Sequence, residues 1–199
     1  TTILVEQPAA QVILQPEPIV NFDVVLFYDM SGIPDVGLRH DGANNTGQPP
    51  AAFVEAMESL LASGKGLVLL NHVTFSWPPW PLWREIPHSS AMLSAGELNG
   101  QQVPGSGYRG GHGPLPNATV MASPQGVHPV LGGLEVGFEI TEELYLKTSD
   151  FESSVQPLLR AEYDLVADNF TPPPLAPEAE QRNWVASDEA RGWVQSSTS

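Results

Sequence analysis

Residues 23–70 constrain this chain more than any other stretch. Asp23-Val24-Val25-Leu26-Phe27-Tyr28 is a short, continuously apolar run between turn formers, the pattern of a strand buried on both faces. A polar, glycine-rich loop follows over residues 29–47. Pro49-Pro50 then announces a helix over residues 50–63, because proline suits a first helical turn. Phe53, Met57, Leu60 and Leu61 recur at helical spacing and are expected to face a core, and Gly64 stands where a left-handed C-cap belongs. Gly66-Leu67-Val68-Leu69-Leu70 reads as a second buried strand. Strand, helix and strand in such close succession imply a right-handed crossover, hence a parallel sheet of α/β type.

Beyond this unit the periodicity thins. Residues 118–122 and 138–146 read as strands, as do 157–162 and the short apolar pieces 2–5 and 11–14. Residues 178–195 carry a helical pattern with Trp184 and Trp193 as anchors. No repeat or boundary interrupts the chain, so a single domain over residues 1–199 is expected.

Charge narrows the partners. There are 23 acids against 8 bases, a net charge of −15. That balance repels phosphate backbones and anionic lipid surfaces, so neither nucleic acid nor membrane is an expected partner. With no cysteine there is no disulfide, no thiolate ligand and no cysteine nucleophile. No apolar run reaches the length of a membrane span, and no basic-then-apolar leader opens the chain. A mature chain freed of its leader would look the same, and the cytoplasm is the default location. The sequence leaves homo-oligomerisation open.

Twenty prolines and 18 glycines gather in loops, where such a domain displays its chemistry. Ligands of open α/β sheets collect outside the carboxyl ends of the strands. The first strand delivers Asp29, then Ser31-Gly32; the second delivers Asn71 and His72, then Trp77, Trp80 and Trp83. Neighbouring strands would open Asp29 and His72 onto one crevice. His72 suits a general base, a metal ligand, an oxyanion partner or a cap on a loop carbonyl. The tryptophans are read equally as core or as a surface that stacks on an amphipathic ligand.

Three more stretches offer polar groups. Tyr108-Arg109-Gly110-Gly111-His112 supplies a phenol, a guanidinium and an imidazole. His128-Pro129-Val130 reads as a turn whose imidazole satisfies backbone. In Glu142-Glu143-Leu144-Tyr145, strand alternation admits only one of the paired carboxylates to a given pocket, with Tyr145 on the face of Glu143. Phosphate-loop, GxGxxG, GxSxG and HExxH motifs are all missing from the sequence. Three ligands from distant loops, His72, His112 and Glu143, form a candidate set for zinc or a similar divalent ion, with one position left open.

Read in order, these stretches resemble the trehalose-utilisation (ThuA-like) family. The resemblance rests on Phe27-Tyr28-Asp29-Met30, on Gly64-Lys65-Gly66 through Asn71-His72, and on Trp77 to Trp83. It continues through Ser106-Gly107-Tyr108-Arg109, through His128-Pro129-Val130 to Gly133-Leu134, and through Glu142-Glu143-Leu144-Tyr145 to Asn183-Trp184-Val185-Ala186-Ser187. It implies a flavodoxin-like, three-layer sandwich with a mainly parallel central sheet, related to class I glutamine amidotransferases. The amidotransferase cysteine would fall at Asn71-His72, so glutamine hydrolysis by a cysteine is excluded. The resemblance implies either a member shortened before Thr1 and between Pro177 and Trp184 or one whose corresponding segments lie outside this sequence, and the family's Asp-Glu-x-Tyr begins here with Glu142.

The resemblance implies a carbohydrate-active protein acting on a disaccharide or its keto derivative. His72 and Glu143 are the expected acid–base residues, with Asp29, Trp77, Trp80, Tyr108, Arg109 and Tyr145 binding the sugar. A non-catalytic sugar- or partner-binding domain and a metal-assisted hydrolase stay open beside it.

Overall fold

The computed structural model describes residues 2–6, 9–28, 30–32, 47–87, 89, 91–98, 100–103, 105–111, 113–147, 156–173 and 176–182. They form a mixed α/β protein of short helices and small sheets, with mostly antiparallel strand pairs. The chain groups into two compact units, Thr1–Ser90 and Ala91–Ser199. No helix among the described residues is long and apolar enough to cross a membrane.

The first unit holds helices α1 (Ala10–Ile13), α2 (Pro16–Ile19), α3 (Ala51–Ala62) and α4 (Pro81–Glu85), with strands β1 (Val24–Phe27) and β2 (Gly66–Leu69). β1 and β2 are parallel, with Val24 opposite Gly66 and Phe27 opposite Leu69, as the crossover pattern requires. α3 starts directly after Pro50 and buries Phe53, Ala56, Met57 and Leu60, a stripe spaced by three and four residues. Leu61 lies one position round the helix from that stripe and is exposed, which corrects its expected place in the core. Ser63 closes the helix and Gly64 follows in the left-handed region, at φ 71°.

Two further expectations are corrected. Residues 11–13 belong to α1 and Leu14 is its C-cap, in place of the expected strand, and Leu14 N–H donates to Ala10 O at 3.0 Å. An apolar run that short does not distinguish helix from strand. Residues 2–5 take no regular structure. The β1–β2 pair is covered on one face only: Phe27 is buried, whereas Val24 and Leu26 are more than half exposed. Alternation sends Phe27 into the aromatic cluster and its neighbours to the opposite side.

That cluster is built on Phe53. Its ring centroid lies 5.2 Å from Trp77, 6.0 Å from Trp80 and 6.4 Å from Trp83. Phe27 meets Trp83 edge-on at 5.5 Å. The indole of Trp83, though buried, is satisfied by donating to Val73 O at 2.8 Å. Each of these rings contributes roughly 1.5–3 kcal/mol by leaving water.

The second unit is antiparallel. β3 (Gly96–Leu98) and β4 (Gln101–Val103) form a hairpin, β6 (Ala118–Pro124) lies between β7 (Phe138–Glu142) and β9 (Leu159–Arg160), and β5 (Tyr108–Arg109) pairs with β8 (Leu144–Tyr145). Along β6, Ala118, Val120 and Ala122 are buried while Thr119 and Met121 face out. The expected strand over 138–146 is in fact two, in different sheets, and the break falls on Glu143. Helix α5 covers Glu178–Arg182; the rest of the expected closing helix, with Trp184 and Trp193, lies outside the described residues.

Candidate functional site

At the carboxyl ends of β1 and β2 the chain closes on itself. Ser31 N–H donates to Ser76 Oγ at 3.0 Å, and Trp77 N–H donates to Ser31 O at 2.8 Å. The two loops are therefore laced together, with the Trp77 ring laid on Gly32. A Cβ at Gly32 would stand 2.5 Å from Trp77 Cε3, so only glycine fits there. Trp77 itself sits at φ 49°, an uncommon conformation for so large a residue, held by that hydrogen bond and by burial.

The expectation that Trp77 and Trp80 stack on a ligand is corrected. Trp77 is 1% exposed and Trp80 8% exposed, so their ring faces belong to the core around Phe53. Asn71 and His72 do lie just past β2, in a 3₁₀ turn over Asn71–Phe75, with His72 half-buried. Asn71 takes φ 52°, a conformation that asparagine tolerates better than most residues. Asp29 lies outside the described residues.

In the second unit, the β5–β8 pairing gathers four of the expected site residues. Tyr108 is the direct cross-strand partner of Tyr145, and Arg109 that of Leu144. The rings of Tyr108 and Tyr145 stack with centroids 6.5 Å apart. The other side of β5 is held too: Tyr108 N–H donates to Thr171 O at 3.1 Å and Thr171 N–H to Tyr108 O at 2.7 Å.

Glu143 occupies the single step between β7 and β8. Glu142 is exposed and accepts a hydrogen bond from Glu143 N–H at 2.9 Å, while Glu143 turns inward and is half-buried. Tyr145 donates its hydroxyl to Glu143 Oε2. Burial, then the hydrogen bond to and charge of Glu143, push the Tyr145 hydroxyl well above its ordinary pKa of 10. It stays protonated across the physiological range and serves as a donor.

The glycine run lies against this pair. Gly111 takes φ 58°, and a Cβ there would collide with Glu143 Oε1. The loop is pinned by Gly111 N–H to Asn117 Oδ1 at 2.9 Å and by Gly113 N–H to Gly110 O at 3.0 Å. Glycine here lets backbone approach a carboxylate more closely than any side chain would allow. His112, on the same loop, lies outside the described residues.

Arg109 turns to the opposite face of β5. Its Nη1 donates to Asn169 O at 3.3 Å, and its Cζ lies 5.9 Å from the Tyr163 ring centroid. Tyr108 and Arg109, expected to serve one sugar, therefore face different surroundings, because adjacent strand residues alternate. Asn117, Tyr163 and Asn169 had no local signal marking them; the scarcity of tyrosine, 4 in the chain, is the nearest to one. Three of the four, Tyr108, Tyr145 and Tyr163, stand in this unit.

Among the described residues, no group of three or more histidines and carboxylates is arranged to hold a metal ion. Of the expected ligand set, His72 belongs to the first unit and Glu143 to the second, with His112 outside the described residues. His128 acts as the sequence indicated: its Nδ1 accepts from Val130 N–H at 3.2 Å and caps the turn Pro129–Leu131. No protein-family model, curated protein or solved structure matches this chain.

Proposed function

We propose that this chain is a carbohydrate-active enzyme of ThuA-like type that performs acid–base chemistry on a keto sugar. The observation that carries the reading is the hydrogen bond from Tyr145 to Glu143, beside a glycine loop that excludes side chains from the carboxylate. The parallel β1–α3–β2 crossover supports the finer, flavodoxin-like reading of the fold.

A carbonyl acidifies the hydrogen on the adjacent carbon. Glu143 removes that proton as base, and as its charge is lost the Tyr145 hydroxyl turns from Glu143 to donate to the substrate oxygen that gains charge. The protonated Glu143 then returns the proton to the former carbonyl carbon while the hydroxyl proton of the adjacent carbon passes to the former carbonyl oxygen, which isomerises the sugar, or it gives the proton to a departing hydroxyl, which completes an elimination. His72 is proposed as a further acid–base group.

The test is turnover of oxidised disaccharides by Glu143→Gln, which keeps the shape and removes the base. A loss of about a hundred- to ten-thousand-fold is expected for a positioned general base. Full activity in that variant would overturn the assignment. Measurable sugar binding with no turnover by the unaltered protein would favour the non-catalytic binding domain.

A further inference from the structure

Lys147 stands two residues beyond Tyr145, and the strand pairing carries almost to it. Leu146 N–H donates to Gly107 O at 2.9 Å, which extends the β5–β8 ladder one residue past Tyr145. Alternation then puts Glu143, Tyr145 and Lys147 in one row on the same face, with roughly 7 Å between successive positions. The hydrogen bond from Tyr145 to Glu143 fixes that face for the first two.

The Lys147 side chain is half-buried, yet no hydrogen bond or ion pair ties its amine to the described residues. Ser106, opposite it in the same register, is buried, and its hydroxyl is engaged by Met92 N–H at 2.8 Å. Among the described residues, Arg109 Nε is the one buried side-chain polar atom left without a partner. The unpaired Lys147 amine therefore reaches water, at the end of a buried stem. In a chain with 23 acids it still lacks a carboxylate to stabilise its charged form. Burial holds its pKa below the ordinary 10.5, which enlarges the neutral, nucleophilic share at neutral pH. The sequence has one other lysine, Lys65, whose amine is occupied in donating to Phe22 O at 2.7 Å.

We propose that Lys147 is a nucleophilic amine that captures an aldehyde, such as the open-chain end of a reducing sugar, as an imine. The nitrogen lone pair attacks the carbonyl carbon, a C–N bond forms, and the carbonyl π pair moves to oxygen. That oxygen takes both hydrogens of the neutral amine and leaves as water, while the nitrogen pair closes the C=N bond. The capture goes beyond the acid–base chemistry of Glu143 and does not depend on it.

Glyceraldehyde with cyanoborohydride, which reduces an imine to a stable secondary amine, is the probe. Peptide mass mapping of the full chain follows labelling at Lys147, with Lys65 as internal standard. The chain unfolded in guanidinium chloride, where both lysines are open, sets the reference rates. Folding is expected to speed labelling of Lys147 by roughly tenfold or more, as for an activated nucleophile, and not to speed that of Lys65. Labelling of Lys147 that is slowed or unchanged by folding would overturn the proposal, as would equal acceleration at Lys65. Lys147→Met should abolish the fast labelling, and its persistence would place the reactive amine elsewhere. If that variant fails to fold, the folded-against-unfolded comparison on the unaltered protein still decides. The readout is a mass and not a turnover, so lost turnover in Glu143→Gln with unchanged labelling keeps the two readings apart.

Discussion

Tyr145 reaches back along its own strand to donate its hydroxyl to Glu143, the residue at which the chain leaves one sheet for another. Burial and the adjacent carboxylate both hold the proton on the phenol. The folded state therefore binds this proton more tightly than the unfolded chain does. The resulting stabilisation is fully present below pH 10, the ordinary tyrosine value, and is lost as pH rises above it. Tyr145→Phe should unfold less steeply with pH above that point, while losing turnover. Denaturant melts at pH 8 and in the alkaline range, alongside an ultraviolet titration of tyrosine, check this. Identical alkaline profiles in the two proteins would refute it.

Gly111 and Gly64 both have positive φ, but only Gly111 faces an obstacle. A Cβ at Gly64 would find nothing within 4 Å. Gly64→Ala should therefore cost only the left-handed backbone term, about 1–2 kcal/mol. Gly111→Ala should cost more than that and also lower activity, because its methyl group displaces the Glu143 carboxylate. Chemical denaturation with parallel rate measurements separates the two; equal losses would mean that the close approach has no consequence.

Trp83 is a core group in spite of its place beside expected site residues. Trp83→Ala removes a ring packed on Phe27 and Phe53 and a satisfied indole, and should cost about 3–5 kcal/mol. Trp77 and Trp80 share this core, so sugars should leave tryptophan fluorescence unshifted. A ligand-dependent shift that disappears in Trp80→Phe would contradict their assignment to the core.

Lys147 follows β8, and burial lowers its pKa from the ordinary 10.5. Between the lowered value and 10.5 the unfolded chain holds a proton that the folded chain lacks, so stability from this group rises with pH. At neutral pH the buried charge is a cost. Lys147→Met should raise Tm at pH 7, with the gain shrinking as pH approaches 10.5. A lower Tm at pH 7 would show that the amine has a stabilising role.

The local periodicities were written in the chain itself. The stripe of Phe53, Met57 and Leu60, the prolines before it and Gly64 after it determine α3, and the two apolar runs determine a parallel β1–β2 pair. His128 capping its own turn was also legible, because that contact spans two residues. Of the adjacent Glu142 and Glu143, the first is exposed and the second half-buried. Which sides of these elements are covered was decided only in three dimensions. Trp77 could have been a platform or a core residue until Gly32 and Phe53 were found against its ring. The single strand expected over 138–146 divides at Glu143 because its halves find partners in β6 and β5, at different places in the chain. Arg109 parts from Tyr108 because Asn169, sixty residues further on, supplies its acceptor. A short-range pattern encodes the period of an element and the separation of its faces. The neighbour that covers each face comes from distant sequence, and only the folded chain brings it there.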